Sequence, residues 1–324
     1  MHTIHAVTLI TSPTAPWLVF ANSLLTDWTM WNYIIPYLLD LPSSTSTIPN
    51  STGEKQTYNI LLHSQRGHGL STLPSPANGH ALLTTIPLLA TDIANLLNAL
   101  SIPTPVHSII GVSQGGAASL AFAALYGSSK TKGIVACDTA PRTPAGNKKA
   151  WAERIQLASG PLSEETTAEE YATHIGMRKL ADVTVPRWFP ASSFCATDSV
   201  DGDKRRKWVG DMVERTKLNG FVQGAMALSD YDVLSMQPSA SDQANFSEVK
   251  ALLTSSVKNV LLLAGTLDGG GKVANGLRDL QSTWNAAAPD TTSIQFVGID
   301  GAGHLPMIDS PEIFCQHLGK WLSE

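Results

Sequence analysis

Short apolar, β-branched runs recur along the chain at 16–22 (PWLVFAN), 58–64 (YNILLHS), 107–113 (HSIIGVS), 132–138 (KGIVACD), 259–265 (NVLLLAG) and 293–299 (SIQFVGI). Each lacks the apolar–polar alternation of a half-solvated strand, so each is predicted to be a strand covered on both faces. Helical periodicity fills several gaps. Leu89, Ile93, Leu96, Leu97 and Leu100 fall on one stripe, and the Ala- and Leu-rich segment QGGAASLAFAALYG ends on Gly127. Strand and helix in alternation predict an α/β fold with a mostly parallel, doubly wound sheet.

About 120 residues separate the strand ending near Asp138 from the one starting near Asn259, and the interval carries helical patterns such as KKAWAERIQLA and KRRKWVGDMVERTK, whereas a crossover needs only a dozen residues or so. The surplus predicts a helical lid inserted over the edge where the strands end. The expected organisation is a core from 1–140 and 251–324, interrupted by a lid over 141–250. The polar run 43–52 (SSTSTIPNST) reads as a solvated surface loop.

Composition narrows the function classes. The 324 residues carry 22 Lys+Arg against 27 Asp+Glu, with no basic cluster, so no nucleic-acid partner is expected. Cys137, Cys195 and Cys315 are widely spaced and show no CxxC pattern. Neither a disulfide framework nor a thiolate metal site is expected, and a reducing compartment fits. The opening residues lack a basic start followed by an apolar run, and nowhere do about 18 apolar residues follow one another. The expectation is a cytoplasmic protein with no membrane segment. Phosphate loops, dinucleotide fingerprints and His/Glu metal clusters are not apparent, so no cofactor and no metal are expected.

The strongest local signal is Gly111-Val112-Ser113-Gln114-Gly115-Gly116, at the junction of a predicted strand and a predicted helix. A sharp turn there brings backbones too close for side chains at Gly111 and Gly115, lifts the Ser113 hydroxyl off the sheet, and leaves the Gln114 amide free to meet an oxyanion. A serine hydroxyl needs a histidine base and an acid to orient it. Asp268 follows the strand 259–265 and His304 follows the strand 293–299, both at the edge expected for Ser113. The chain order Ser, Asp, His on loops after strands is that of α/β-hydrolases. Asp138 also ends a strand and is a rival acid, while Asp300 reads as a turn residue. Of the other histidines, His2 and His5 lie near a terminus, and His107 opens the serine strand at the wrong end. His63 and His68 flank a turn at the correct edge, with no acid suggested for either.

Larger motifs widen the picture. Asn22-Ser23-Leu24 with Trp31, Arg66-Gly67-His68-Gly69, Trp151 with Arg154 and Ile155, and Arg187-Trp188-Phe189 together resemble the 3-oxoadipate enol-lactonase group of the α/β-hydrolase superfamily. That resemblance implies the α/β-hydrolase fold and a second oxyanion donor at the Leu24 amide, beside that of Gln114. Trp188 becomes a candidate for substrate binding, as a lining of the pocket or a packing residue of the lid. Arg66 reads more simply as one half of a structural ion pair. The chain departs from the group at Ser64, at Leu267-Asp268, and at Ser229-Asp230-Tyr231-Asp232, where an arginine is missing. The resemblance therefore implies the reaction type rather than 3-oxoadipate enol-lactone itself.

The expected activity is that of a serine hydrolase opening a lactone or small carboxylic ester through an acyl-enzyme. Its partner is then a small molecule. The same residues would serve a carboxylesterase, a C–C bond hydrolase or a cofactor-free peroxidase, and a ligand-binding receptor without turnover is the rival from another class.

Overall fold

The computed structural model describes residues 2–39, 57–75, 83–161, 167–198, 200–236, 257, 259–287 and 293–324. Seven strands form one sheet: β1 (Ala6–Leu9), β2 (Trp17–Ala21), β3 (Asn59–His63), β4 (Val106–Val112), β5 (Thr131–Cys137), β6 (Asn259–Gly265) and β7 (Ser293–Ile299), in the order β1-β3-β2-β4-β5-β6-β7. Only β1 runs antiparallel, against β3. The other neighbours pair in parallel. Strands β3 and β4 are buried almost end to end, as the unbroken apolar runs predict, because helices cover both faces. The strand β1 was not predicted. Four half-exposed residues on a sheet edge give too short a pattern to read.

The flanking helices are α1 (Ile35–Leu39), α2 (Ile86–Ala99) and α3 (Gln114–Tyr126). In α2 the predicted stripe buries Leu89, Ile93 and Leu97, but Leu100 lies past the helix end and is exposed. Helix α3 is buried on nearly every side, which is why its sequence is small and apolar all round.

Between β5 and β6 the described residues form helices and turns: α4 (Asn147–Ser159), α5 (Ala168–Tyr171), α6 (Met177–Trp188), α7 (Phe194–Thr197), α8 (Asp201–Arg215) and α9 (Leu218–Ser229). The two ends of this excursion meet. Thr143 N–H donates to the Tyr231 carbonyl and Val233 N–H to that of Pro141, each at 2.8 Å, while the Tyr231 hydroxyl donates to the Ala140 carbonyl at 2.8 Å. The helical insertion thus stands on a narrow neck at the end of β5. The polar run 43–52 and the predicted lid boundary at 250 lie outside the described residues. The chain closes with α10 (Lys272–Ala287), α11 (Pro306–Asp309) and α12 (Pro311–Leu322). Cys137, Cys195 and Cys315 are each buried and unpaired. No described helix is long and apolar enough to cross a membrane.

Candidate active site

The order of the sheet reverses between β2 and β4, and in open α/β sheets ligands collect at the carboxyl ends of the strands beside such a switch. Ala21 pairs with Gly111, so the segments after β2 and β4 leave the sheet side by side. A side chain on Gly111 would sit 2.1 Å from the Gly115 carbonyl oxygen, and one on Gly115 would sit 2.1 Å from that of Ala21. Both glycines are there because backbone occupies the space of a Cβ. Between them Ser113 takes φ 55° and ψ −115°, a conformation that L-residues avoid and that tight functional turns impose. Its amide donates to the Cys137 carbonyl at 2.8 Å. Its hydroxyl is half-buried and makes no hydrogen bond among the described residues.

The Gln114 amide opens α3 and finds no acceptor among the described residues; the same holds for the Leu24 amide. The two residues are neighbours in space: a side chain on Gly224 of α9 would meet the Leu24 Cδ1 at 2.3 Å and the Gln114 Oε1 at 3.2 Å. Gln114 Nε2 also donates to the Gly224 carbonyl at 2.7 Å. The loop carrying Leu24 is tied down on either side. Asn22 donates to the His63 carbonyl and accepts from the Trp31 indole, both at 2.8 Å. Leu25, at φ 69°, gives its amide to His68 Nε2 at 3.1 Å. His68 Nδ1 lies 3.1 Å from the Arg66 carbonyl, which can only accept, so the proton sits on Nδ1 and Nε2 is left to receive Leu25. Burial pushes the His68 pKa down to about 4, which keeps this tautomer neutral.

On the far side of the elbow, Asp268 begins the turn after β6 and His304 follows β7. His304 Nδ1 and Asp268 Oδ2 are 2.7 Å apart, with both side chains largely covered. Two close backbone fits set this pairing. Gly265 faces the carbonyls of Ala302 and Gly303, and Gly303 faces that of Trp188; neither site has room for a Cβ. Asp309 accepts from Gly303 N–H at 2.7 Å and from Cys195 N–H at 2.6 Å, bracing the histidine loop from below. Burial alone would raise the Asp268 carboxyl, but the charge and hydrogen bond of His304, the hydrogen bond from Asp138 and the charge of Arg187 hold it below the usual range.

Of the three predicted catalytic side chains, the structure thus joins Asp268 and His304 by a hydrogen bond. It sets Ser113 at the head of β4, at the same end of the sheet. Asp138 directly follows β5, the strand between β4 and β6, and its carboxyl, that of Asp268 and the imidazole of His304 offer atoms that all lie within 4.8 Å of one another. No other described cluster has metal-ligand spacing, and in this one Asp268 and His304 are hydrogen-bonded to each other. Burial and the Asp268 charge push the Asp138 carboxyl well above the usual carboxylate range, against the hydrogen bonds from Cys137 and Gly265.

The remaining sequence candidates fall outside the pairing. Trp188 is 4% exposed and stacks on the His304 ring at 5.7 Å between centroids, 22° from parallel. Its carbonyl accepts the His304 amide at 2.8 Å. Asp300 is an exposed turn residue, and His107 packs edge-on against Tyr58. Arg66 forms the expected ion pair, a buried fork onto Asp92 at 2.6 and 2.7 Å. Sequence reasoning placed His68 near the site without a role; its work on Leu25 is invisible in the sequence because 43 residues separate the two.

The chain is 27% identical over 175 residues to 3-oxoadipate enol-lactonase 2 of Acinetobacter baylyi, a match covering 54% of this chain and 50% of that protein. It is 24% identical over 302 residues to 3-oxoadipate enol-lactonase 1 of the same organism, covering 93% and 86%. Among solved structures it resembles a thermophilic esterase from Thermogutta terrifontis, with TM-score 0.69 and 22% identity over 98% of this chain and 93% of that one. The enol-lactonase from Burkholderia xenovorans LB400 gives TM-score 0.68 and 22% identity over 100% and 97%. The family model described as the alpha/beta hydrolase fold matches residues 16–311, and the chain, with its serine turn at the head of β4 and its Asp268–His304 pair beyond β6 and β7, belongs to that family.

Proposed function

We propose that this chain is a serine hydrolase that opens a lactone or small carboxylic ester through an acyl-enzyme. The observation that carries the reading is the hydrogen bond of 2.7 Å between His304 Nδ1 and Asp268 Oδ2, formed at the sheet end where Ser113 is held in a strained turn. With Nδ1 occupied by Asp268, Nε2 is the nitrogen free to act as a base. In this scheme Nε2 takes the proton of Ser113 as Oγ bonds to the substrate carbonyl carbon. The oxyanion is met by the amides of Leu24 and Gln114, which have no other described acceptor. Collapse of the tetrahedral intermediate breaks the acyl–oxygen bond, and the leaving alkoxide takes the proton from Nε2. Water, activated by the same nitrogen, then releases the acid. A lactone keeps its leaving alcohol in the acyl group, so enclosure beneath the helical insertion suits it. The relatives named as enol-lactonases and esterases support the same class.

A fluorophosphonate probe tests the reading. The folded chain labels at Ser113, and Ser113→Ala abolishes labelling. A panel of lactones, acyclic esters and β-diketones then assigns the bond cleaved. Folded protein that neither labels nor turns over any of them overturns the proposal and favours a binding protein on this fold.

A further inference from the structure

The scheme above uses one carboxylate and leaves a second, buried in the same knot, without a task. Asp138 follows β5 at φ 45° and is 2% exposed. Its amide donates to the Leu263 carbonyl at 2.9 Å. One carboxyl oxygen accepts Gly265 N–H at 3.0 Å and the other faces the Cys137 thiol at 3.0 Å. A carboxyl oxygen of Asp138 lies within 4.8 Å of one of Asp268, and both side chains are buried. Two carboxyl groups buried this close do not both ionise, so one of them holds a proton.

The surroundings decide where the proton resides. Asp268 faces His304 and the positive charge of Arg187 from α6, on which Arg154 of α4 acts in turn. Asp138 faces the Cys137 thiol, the Gly265 amide, Asp268 itself and, within 4.8 Å, the His304 imidazole, but unlike Asp268 it forms no ion pair among the described residues. We infer that Asp138 is a positioning residue of the site: as a neutral acid it donates its O–H to Asp268 and holds that carboxylate against His304 Nδ1. The proton on Asp138 stays in place while the serine proton moves to Nε2, so Asp138 shapes the acid without taking part in the transfer. Its effect on turnover rests on the hydrolase reading, whereas the location of the proton does not.

The test uses the full chain with Asp138→Asn, Asp138→Ala and, as a reference, Asp268→Asn. An asparagine amide can donate to Asp268 while its carbonyl accepts from Gly265, so Asp138→Asn keeps kcat within about 3-fold and leaves the acid limb of the pH profile in place. Asp138→Ala removes the donor: kcat falls by roughly 10- to 100-fold with KM little changed, and the acid limb moves to higher pH because Asp268 no longer shares its charge. Asp268→Asn loses on the order of 10⁴-fold. If Asp138→Asn loses as much as Asp268→Asn and its acid limb moves to lower pH, Asp138 is the ionised acid and the inference is overturned. Wild-type behaviour of Asp138→Ala overturns it equally.

A second readout needs no substrate. The His304 ring proton is followed by proton NMR, assigned by its loss in His304→Gln, and the ring is titrated in each variant. An imidazole pKa unchanged by Asp138→Asn supports the inference, and one lowered by it overturns the inference, even if no ester is ever turned over. That separates failure of this inference from failure of the hydrolase reading, and the asparagine comparison decides if Asp138→Ala does not fold.

Discussion

The ring of Trp188, the last residue of α6, lies 5.7 Å from that of His304 at an interplanar angle of 22°, and its carbonyl takes the His304 amide at 2.8 Å. The inserted helices therefore hold the histidine through both backbone and ring. Gly303 belongs to the same contact, since a Cβ there would stand 2.1 Å from the Trp188 carbonyl oxygen. Position of His304 and position of the insertion are one structural fact.

This coupling predicts a graded response at position 188. Trp188→Ala leaves the backbone bond but removes the stack, and an aromatic contact of about 0.5–1.5 kcal/mol corresponds to a fall in kcat of roughly 2- to 10-fold. Trp188→Phe keeps a ring in place and stays closer to wild type. Steady-state kinetics on one ester decide it. Equal kcat in all three proteins shows that the stack leaves the base unaffected.

The positions of the three proposed catalytic residues were legible because local rules fix them. Glycines two residues on either side of Ser113 mark a turn that only backbone packing explains, and the runs before Asp268 and His304 match β6 and β7 at 259–265 and 293–299. What could not be read is every relation made by docking. Periodicity cannot tell that Asp138 and Asp268, 130 residues apart in the chain, bring carboxyl oxygens within 4.8 Å of each other. It cannot say whether Trp188 turns to solvent, substrate or His304, because the fit of α6 against the loop after β7 decides that. The strand β1 escaped for a simpler reason: four edge residues carry too little pattern.

The strained turn at Ser113 predicts opposite effects on stability and activity. Glycine tolerates φ 55°, so Ser113→Gly raises unfolding stability by about 1–2 kcal/mol even as turnover falls by about six orders of magnitude. Ser113→Ala loses the same activity and gains no stability, since alanine bears the same strain. Urea denaturation beside kinetics checks this. A glycine variant less stable than the alanine one shows that the backbone strain is released elsewhere.

The fork between Arg66 and Asp92 lies in the core below the turn that carries His68, with both side chains over nine-tenths covered. Breaking it from one side leaves a buried charge, so Arg66→Met or Asp92→Leu costs about 3–5 kcal/mol each. The double variant removes both charges and is destabilised by less than the sum of the two. A denaturation double-mutant cycle measures the coupling. Strict additivity would mean that the pair contributes through packing alone.

A last prediction concerns acid, and it turns on the histidine that holds Leu25. Burial lowers the His68 pKa from 6.5 to about 4 in the folded chain, opposed by the Arg66 carbonyl and the charge of Asp27. The unfolded chain takes up its proton first, so stability from His68 is complete above the unfolded value and declines as the pH falls from about 6.5 to about 4. The shift corresponds to a loss on the order of 3 kcal/mol across that window. Glutamine can accept from the Leu25 amide and does not titrate. The stability gap between wild type and His68→Gln therefore narrows by about that amount between neutral pH and pH about 4. Taking the difference between the two proteins cancels the raised carboxyls of Asp138 and Asp309, whose contribution runs in the opposite sense. Chemical denaturation at several pH values reads the gap directly, and a gap that does not change with pH would falsify the neutral, amide-accepting role assigned to His68.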